Sequence, residues 1–441
     1  VDRLLGEMWE EEWEVVLGDL AEMRDLGANV IHLHPQLTDF MTAPGQVDSA
    51  AFDRLEALVA HAASLDLHVV IVGLGVYAVD AEPAWFDALD EGARWAVQAD
   101  FWRETARRFS GTPSILYYDL INAPEIPTTP ETEWYLGYLG DRHFHQRLVL
   151  DLAGRSAEEV GAAWVAQMTA AIRDHDPDRA ISIGTTCESD CPTDLTTEAV
   201  WSQLDLVSPH LYPQWDRTDE ATDIVREFDV GLPVYLSETF PLNTGSVQWE
   251  WVLLHVRPWT AGFAAHYQGR TIAEHEELGR IEDWIWAYSL RTFERVAPTV
   301  ASPEPTIDAL HHYRHPITGS HRYTRSRDDE RWRDDGYEYV GTEGDVLSYN
   351  EGTADPWCET HDVVTDERAY VLGCTPPPDH RLEQPIGWAY ATPGIDRREL
   401  HEYRNATTDR RLYTVTRDDP GLAAQGFVYQ GVSAYLPVAP G

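Results

Sequence analysis

The sequence predicts an α/β chain: a (β/α)8 TIM barrel followed by a smaller, all-β, β-trefoil-like domain. Three observations predict it. Helical and strand patterns alternate from the start to about residue 295. A Pro-rich stretch, APTVASPEPT at 297–306, then interrupts the apolar periodicity. Beyond it the chain repeats itself in short aromatic segments rich in turn residues.

The elements follow in order. Glu11–Leu26 reads as an amphipathic helix and Asn29–His34 as a strand. Phe52–Leu65 is a helix, and His68–Val72 a continuous apolar strand. Helix Ala93–Phe109 precedes strand Ser114–Leu120, and helix Glu158–His175 precedes strand Ala180–Gly184. Strands Leu204–Leu211 and Leu232–Ser237 flank a helix near Asp219–Phe228, and strand Gly262–His266 leads into a helix over Ile272–Phe293. Continuous apolar strands between helices indicate a parallel sheet covered on both faces. Seven strands are readable; the eighth is expected before Val1 or in the first few residues. This gives a barrel over 1–296, a linker over 297–306 and a repeat domain over 307–441.

In the tail, LHHYRHPITGSHRYT at 310–324 matches LHEYRNATTDRRLYT at 400–414, and GYEYVG at 336–341 matches GFVYQG at 426–431. Both matches share one offset, which leaves room for a degenerate middle copy. Its traces are ERAYVLG at 367–373 and GWAY at 387–390. Three β-rich copies of this size predict a β-trefoil-like domain. Its aromatics either form the core or bind sugar.

The chain has 441 residues and a formal charge of −42, and all 33 of its basic residues are Arg. A nucleic-acid binder needs a basic footprint to displace counterions, so a nucleic-acid partner is excluded. Anionic membranes are disfavoured on the same ground, and no apolar run reaches the roughly 18 residues of a membrane span. The charge reads as a solvated acidic surface. Oligomeric state is not readable. The four cysteines, Cys187, Cys191, Cys358 and Cys374, fit two local disulfides and an extracellular location. Free thiols are the alternative, and a lone CxxxC pair makes a poor zinc site.

Functional residues of such a barrel lie at the C-terminal ends of its strands. In LPVYLSETFPL at 232–242 an apolar strand ends in Glu238, a carboxylate placed to attack an anomeric carbon. LYYDLINAPEIP at 116–127 ends in Asn122-Ala123-Pro124, and LDLVSPHLYP at 204–213 carries His210 and Tyr212. These strand ends, in this order, resemble glycoside hydrolase family 5, in its cellulase-like branch of clan A. The resemblance runs from about Leu4 to Phe293 and includes a GLG-x-Y strand end at 73–77. It implies a retaining β-glycosidase acting on an oligo- or polysaccharide, with no metal and no organic cofactor. Glu238 would be the nucleophile, Asn122 the contact to the sugar 2-hydroxyl, and His210 and Tyr212 its supports. His34 and Tyr77 would line the sugar site.

The family ends the Asn strand in Asn-Glu-Pro, whose Glu is the general acid/base; here Ala123 stands in that position. Three explanations remain open. The Ala is a deliberate substitution that traps a substrate complex, or a natural loss that leaves a non-catalytic carbohydrate-binding or assembly protein. Otherwise the site is rewired around Glu125, Glu188 or a substrate group. His32 replaces the family's Arg on the second strand. Where the family places a Trp floor, Tyr267 and Gln268 follow the last strand, and Tyr267 is the candidate for stacking. Trp134, in the insertion at 128–157, either walls a sugar subsite or pins the loop to the barrel.

Overall fold

The computed structural model describes residues 12–79, 81–187, 195–214, 220–267, 269–302, 305–327, 330–362, 364–365 and 367–439. Two compact units result: residues 1–246 with 259–297, and residues 247–258 with 298–441.

In the first unit, helix α1 (Trp13–Asp25) leads to strand β1 (Val30–Leu33), α2 (Ser49–Ser64) to β2 (His68–Val72) and α3 (Glu91–Phe109) to β3 (Ile115–Asn122). A hairpin follows, β4 (Tyr135–Leu139) and β5 (Arg142–Arg147). Then come α4 (Ala157–Arg173), β6 (Ala180–Cys187), β7 (Ser208–Leu211), α5 (Glu220–Glu227), β8 (Tyr235–Thr239) and β9 (Gly262–Ala265). Helices α6 (Ile272–Leu278) and α7 (Ile281–Ala301) close the unit. The sheet order is β1-β2-β3-β6-β7-β8-β9, parallel throughout, and β9 comes back beside β1. The result is a nearly closed seven-stranded barrel with its helices outside. The segment expected to hold an eighth strand lies outside the described residues.

Local chemistry explains the starts of the helices. Asp48 caps α2 by accepting from the backbone N–H of Ala50 and Ala51, and Ser156 with Glu159 forms a capping box on α4. Strand β2 reads HVVIV because both of its faces are covered, and Val69 to Val72 are fully buried.

The observed elements differ from the expected ones in four places. The helix expected over 272–293 is two helices, because Gly279 takes a left-handed φ of +64° and ends α6. The stretch expected as a linker from 297 continues α7 to Ala301, through Pro298. Burial of Val296 and Val300 offsets the ~3 kcal/mol that an internal proline costs a helix. The strand expected from Leu204 begins at Ser208. The insertion after β3 carries the β4–β5 hairpin rather than an irregular loop.

The second unit is antiparallel. Strands β10 (Ile307–Arg314), β11 (His321–Thr324), β12 (Glu338–Leu347), β13 (Asp355–Asp362), β14 (Glu367–Leu372) and β15 (His380–Ala389) form one sheet. Strands β16 (Arg397–Asn405), β17 (Arg411–Thr414) and β18 (Phe427–Pro437) form a second. Three buried tyrosines join the repeats in a ring. Tyr323 N–H donates to Tyr370 Oη (3.2 Å), Tyr370 N–H to Tyr413 Oη (3.0 Å), and Tyr413 N–H to Tyr323 Oη (2.8 Å). The steps between them are 47 and 43 residues. The middle tyrosine of the ring, Tyr370, lies in the ERAYVLG segment expected to carry the degenerate copy.

Cys358 and Cys374 form a disulfide across a separation of 16 residues. The other expected pair, Cys187 and Cys191, lies outside the described side chains, as does Glu188. Closing a loop of this size restricts the unfolded chain, so removing the bond in a Cys358→Ser/Cys374→Ser variant costs roughly 2–4 kcal/mol. Thermal melts with and without reductant check this. A transition that reduction leaves unmoved contradicts it.

Candidate active site

The barrel interior changes character from bottom to top. At the bottom Val70, Tyr117, Leu206 and Tyr235 pack with Val30, Ala180 and Ala264. One layer up, the same strand faces carry His32, Asp119, Ser182 and Ser208. Side chains two residues apart share a face, so each strand contributes one residue per layer. At the mouth stand His34, Asn122, His210, Tyr212, Glu238 and His266.

Glu238 is the centre of the mouth. Its Oε2 lies 2.9 Å from His210 Nδ1, its Oε1 lies 2.7 Å from His266 Nε2, and the Tyr212 hydroxyl donates to Oε1. His266 Nε2 is also 3.0 Å from Tyr212 Oη. Burial alone would raise the Glu238 carboxyl pKa. The charges and hydrogen bonds of His210 and His266 outweigh burial and hold it well below the usual carboxylate range. The side chain keeps 17% of its surface open, so the anion is sheltered but reachable. The SETFPL motif builds this arrangement: Ser237 Oγ donates to Ser208 O across to β7 (3.0 Å), and Phe240 meets the His266 ring edge-on at 5.5 Å.

His34 and Tyr77 form a second pair. Burial, then the neighbouring His32, lowers the His34 pKa, while burial and the charges of Glu238 and Asp119 raise that of Tyr77. His34 is therefore neutral and Tyr77 protonated, and the Tyr77 hydroxyl donates to His34 Nδ1 at 2.7 Å. Gly75 makes this geometry possible, because a Cβ there would meet the Tyr77 ring at 2.7 Å. Gln36, on the His32–His34 face, accepts from Tyr77 N–H at 3.0 Å and so pins the strand end.

Asn122 ends β3 and Ala123 follows it; two strands, β6 and β7, lie between β3 and β8 in the sheet. Asn122 Nδ2 donates to the carbonyl of Phe144 on the hairpin (3.0 Å), and the buried Oδ1 has no hydrogen-bond partner. Ala123 is buried, its N–H donates to Gly184 O (2.9 Å), and its φ is +43°. The left-handed turn sends Pro124 and Glu125 alongside β5. Glu125 is turned to the hairpin, with Oε1 3.3 Å from His145 Nδ1.

Two expected sugar contacts are placed elsewhere. The Tyr267 hydroxyl donates to Glu22 Oε2 at 2.5 Å on α1, because it lies one residue past the inward-facing position. The Trp134 indole is covered by the Arg94 guanidinium, 4.0 Å from the ring centroid, and packs on the core, so it pins the hairpin. The structure brings in two residues not singled out for the site from the sequence, His266 and Asp119, and places Phe144, one of the insertion's aromatics, at the mouth. His266 shares a face with Ala264, and that alternation was its signal. Phe144 stands 5.6 Å from Tyr77, ring to ring. Asp119 is fully buried; its signal was a charge inside an otherwise apolar strand.

Asp119 Oδ1 accepts from Gly184 N–H (2.6 Å), and its Oδ2 lies 3.3 Å from His32 Nε2. A Cβ on Gly184 would meet His210 Nε2 at 2.8 Å and Asp119 Oδ2 at 3.0 Å. Among the described residues, no group of three or more His, Cys, Asp or Glu side chains is placed to hold a metal ion. No described helix is long and apolar enough to cross a membrane.

The family model for cellulase, glycosyl hydrolase family 5, matches residues 16–246. The chain belongs to glycoside hydrolase family 5. No curated protein sequence matches it significantly. An exo-β-1,4-mannosidase, Op5Man5 from Opitutaceae bacterium strain TAV5, is 16% identical with a TM-score of 0.47, covering 66% of this chain. This chain spans 56% of that protein's length. GH5_18 from Streptomyces cattleya, in complex with GlcNAc, is 14% identical over 68% of this chain and 78% of its own, with a TM-score of 0.48. A β-mannanase from the blue mussel Mytilus edulis is 13% identical over 66% of this chain and 87% of its own, with a TM-score of 0.45.

Two predictions follow from the geometry. Gly184→Ala forces His210 or Asp119 to move and costs about 1–3 kcal/mol, read by urea denaturation; an unchanged midpoint would show that the space over Gly184 is free. The second concerns pH. A carboxyl depressed in the folded state contributes stability that is fully present above its unfolded pKa of about 4.3. That contribution is lost as pH falls through the lower folded value. Relative to Glu238→Gln, the native chain therefore loses more stability between about pH 5 and pH 3. Thermal melts of the two proteins running parallel across that window would contradict the assignment.

Proposed function

We propose that Glu238 is the nucleophile of a retaining β-glycosidase that acts on an oligo- or polysaccharide, and that Ala123 occupies the vacated acid/base position. The observation that carries this reading is the anionic Glu238, held by His210, His266 and Tyr212 and left open at the barrel mouth. Two imidazoles and a phenol leave one lobe of the carboxylate to react. Asn122, with its free Oδ1 at the end of β3, would hold the sugar 2-hydroxyl, and His34 and Tyr77 would border the sugar ring. The Cys358–Cys374 disulfide supports an oxidising, extracellular setting.

Retaining hydrolysis uses two carboxylates ~5–5.5 Å apart, one attacking C1 while the other protonates the leaving oxygen. Alanine carries no proton, and Glu125 is engaged with His145. The chain therefore keeps the first half of the machinery and lacks the ~10²–10⁴-fold that general acid/base assistance supplies. A non-catalytic carbohydrate-binding protein is the second reading, favoured by Ala123 itself.

An activated substrate separates the two. With 2,4-dinitrophenyl β-glucoside or β-mannoside, a Glu238 oxygen attacks C1 and dinitrophenolate departs without needing a proton. The product is an α-glycosyl ester on Glu238. Azide then attacks C1, releases the carboxylate and yields the β-glycosyl azide. We expect a dinitrophenolate burst, a glycosyl adduct on the Glu238 peptide by mass spectrometry, and turnover accelerated by azide. Absence of both burst and adduct supports the binding-protein reading. In Ala123→Glu, hydrolysis of unactivated glycans should rise about 10²–10⁴-fold; no rise argues against a vacated acid/base.

A further inference from the structure

The three copies of the second unit are alike inside and unlike outside. Leu310, Trp357 and Leu400 occupy one core position, and Tyr323, Tyr370 and Tyr413 another, all of them buried. At the edge of the core, a buried tyrosine faces an exposed one in register: Tyr313 with Tyr339 in the first copy and Tyr403 with Tyr429 in the third. In the middle copy the same place holds Thr360 with Leu382.

Around each tyrosine pair the same groups recur at the same spacing. Ring centroids are 5.4 Å apart for Tyr313 and Tyr339, and 5.3 Å apart for Tyr403 and Tyr429. His311 Nδ1 lies 3.4 Å from Tyr339 Oη, and His401 Nδ1 lies 3.4 Å from Tyr429 Oη. Arg327 sits 5.6 Å from the Tyr339 ring and Arg417 5.4 Å from the Tyr429 ring. The outer tyrosines remain open, Tyr339 at 42% and Tyr429 at 38%. In the middle copy, the 47-residue step that carries Tyr323 to Tyr370 carries His311 and Arg327 onto Cys358 and Cys374. There a disulfide stands where the other copies have His and Arg.

The middle copy keeps the core tyrosine and its ring of hydrogen bonds without the exposed members of this cluster, so the shared core does not require Tyr339, Tyr429, Arg327 or Arg417. We infer that the clusters His311–Tyr313–Arg327–Tyr339 and His401–Tyr403–Arg417–Tyr429 are two equivalent sites for a neutral, β-linked glycan. A pyranose stacks its C–H face on the exposed tyrosine, as aromatic rings do with apolar surfaces that carry a polar edge. The exposed guanidinium offers N–H donors to its hydroxyls, and the imidazole orients the tyrosine hydroxyl. The −42 charge of the chain selects a neutral chain over an acidic polysaccharide. Two sites on one protein make attachment to a polymer bivalent, which raises affinity by about 10²–10⁴ over a single site.

The test is depletion of the full chain from solution by insoluble cellulose, β-mannan, xylan and chitin. It is run with Tyr339→Ala, Tyr429→Ala, the double variant and the double Tyr→Phe variant. We expect at least one polymer to deplete the parent chain, each single Ala variant to bind about 100-fold more weakly, and the double Ala variant not to bind. The Phe variant keeps the stacking face and retains binding. Circular dichroism and the melting temperature report whether each variant is folded. Adduct formation at Glu238 from the dinitrophenyl glycoside stays at the parent level in all of them, so failure here is distinct from failure of the proposed catalytic role. Lack of binding to all four polymers, or binding by a folded double Ala variant equal to the parent, overturns the inference.

Discussion

The barrel mouth is organised around one negative charge largely sheltered from water. Taking a carboxylate out of water costs several kcal/mol even after relaxation, and it is tolerated only where partners satisfy its oxygens. Glu238 has three such partners, from two other strand ends: His210 on β7, Tyr212 just after it, and His266 just after β9. None is adjacent to Glu238 in sequence. The register of β7, β8 and β9 therefore has to be right for the charge to be stable, and the charge in turn penalises any slip of one residue.

Support for those partners continues downward through the barrel. His210 passes over Gly184, where the missing side chain makes room for its ring and for Asp119. Asp119 is held by Gly184 N–H and faces His32. Two buried acids, Glu238 and Asp119, thus stand on opposite sides of a layer of imidazoles. His32 Nε2, Asp119 Oδ2 and His210 Nε2 are all buried without a hydrogen-bond partner. A Cβ added at Gly184 would reach His210 Nε2 and Asp119 Oδ2, so this part of the core accepts no added volume without a shift.

Much of this was legible in the sequence, for identifiable reasons. Continuous apolar runs gave the strands, because both faces of the sheet are covered, and a 3.6-residue period gave the helices. Glu238, His210, Tyr212, His34 and Tyr77 were readable because each ends a strand or follows one closely. His266 was passed over in favour of Tyr267 because aromatic stacking drew attention, although parity with Ala264 pointed to the histidine. Trp134 was undecided because sequence does not show which cation covers a ring; Arg94, far away in the chain, settles it. The continuation of α7 through Pro298 was hidden because a local rule about proline was outweighed by burial of Val296 and Val300.

Ala123 changes the meaning of the rest. Its backbone remains fully employed: the N–H binds Gly184 O, and its positive φ turns the chain into the strand that receives the hairpin. That conformation disfavours any L-residue by roughly 1–2 kcal/mol, and Ala at this position is still ordered and buried. The strain is retained although the side chain has no proton to transfer. In the proposed reading this turn, next to Asn122 with its unpaired carbonyl oxygen, would serve sugar binding with or without an acid. In the proposed reading, binding and nucleophilic attack survive together, because both depend on Asn122 and Glu238. Leaving-group protonation depends on the single side chain that alanine does not supply.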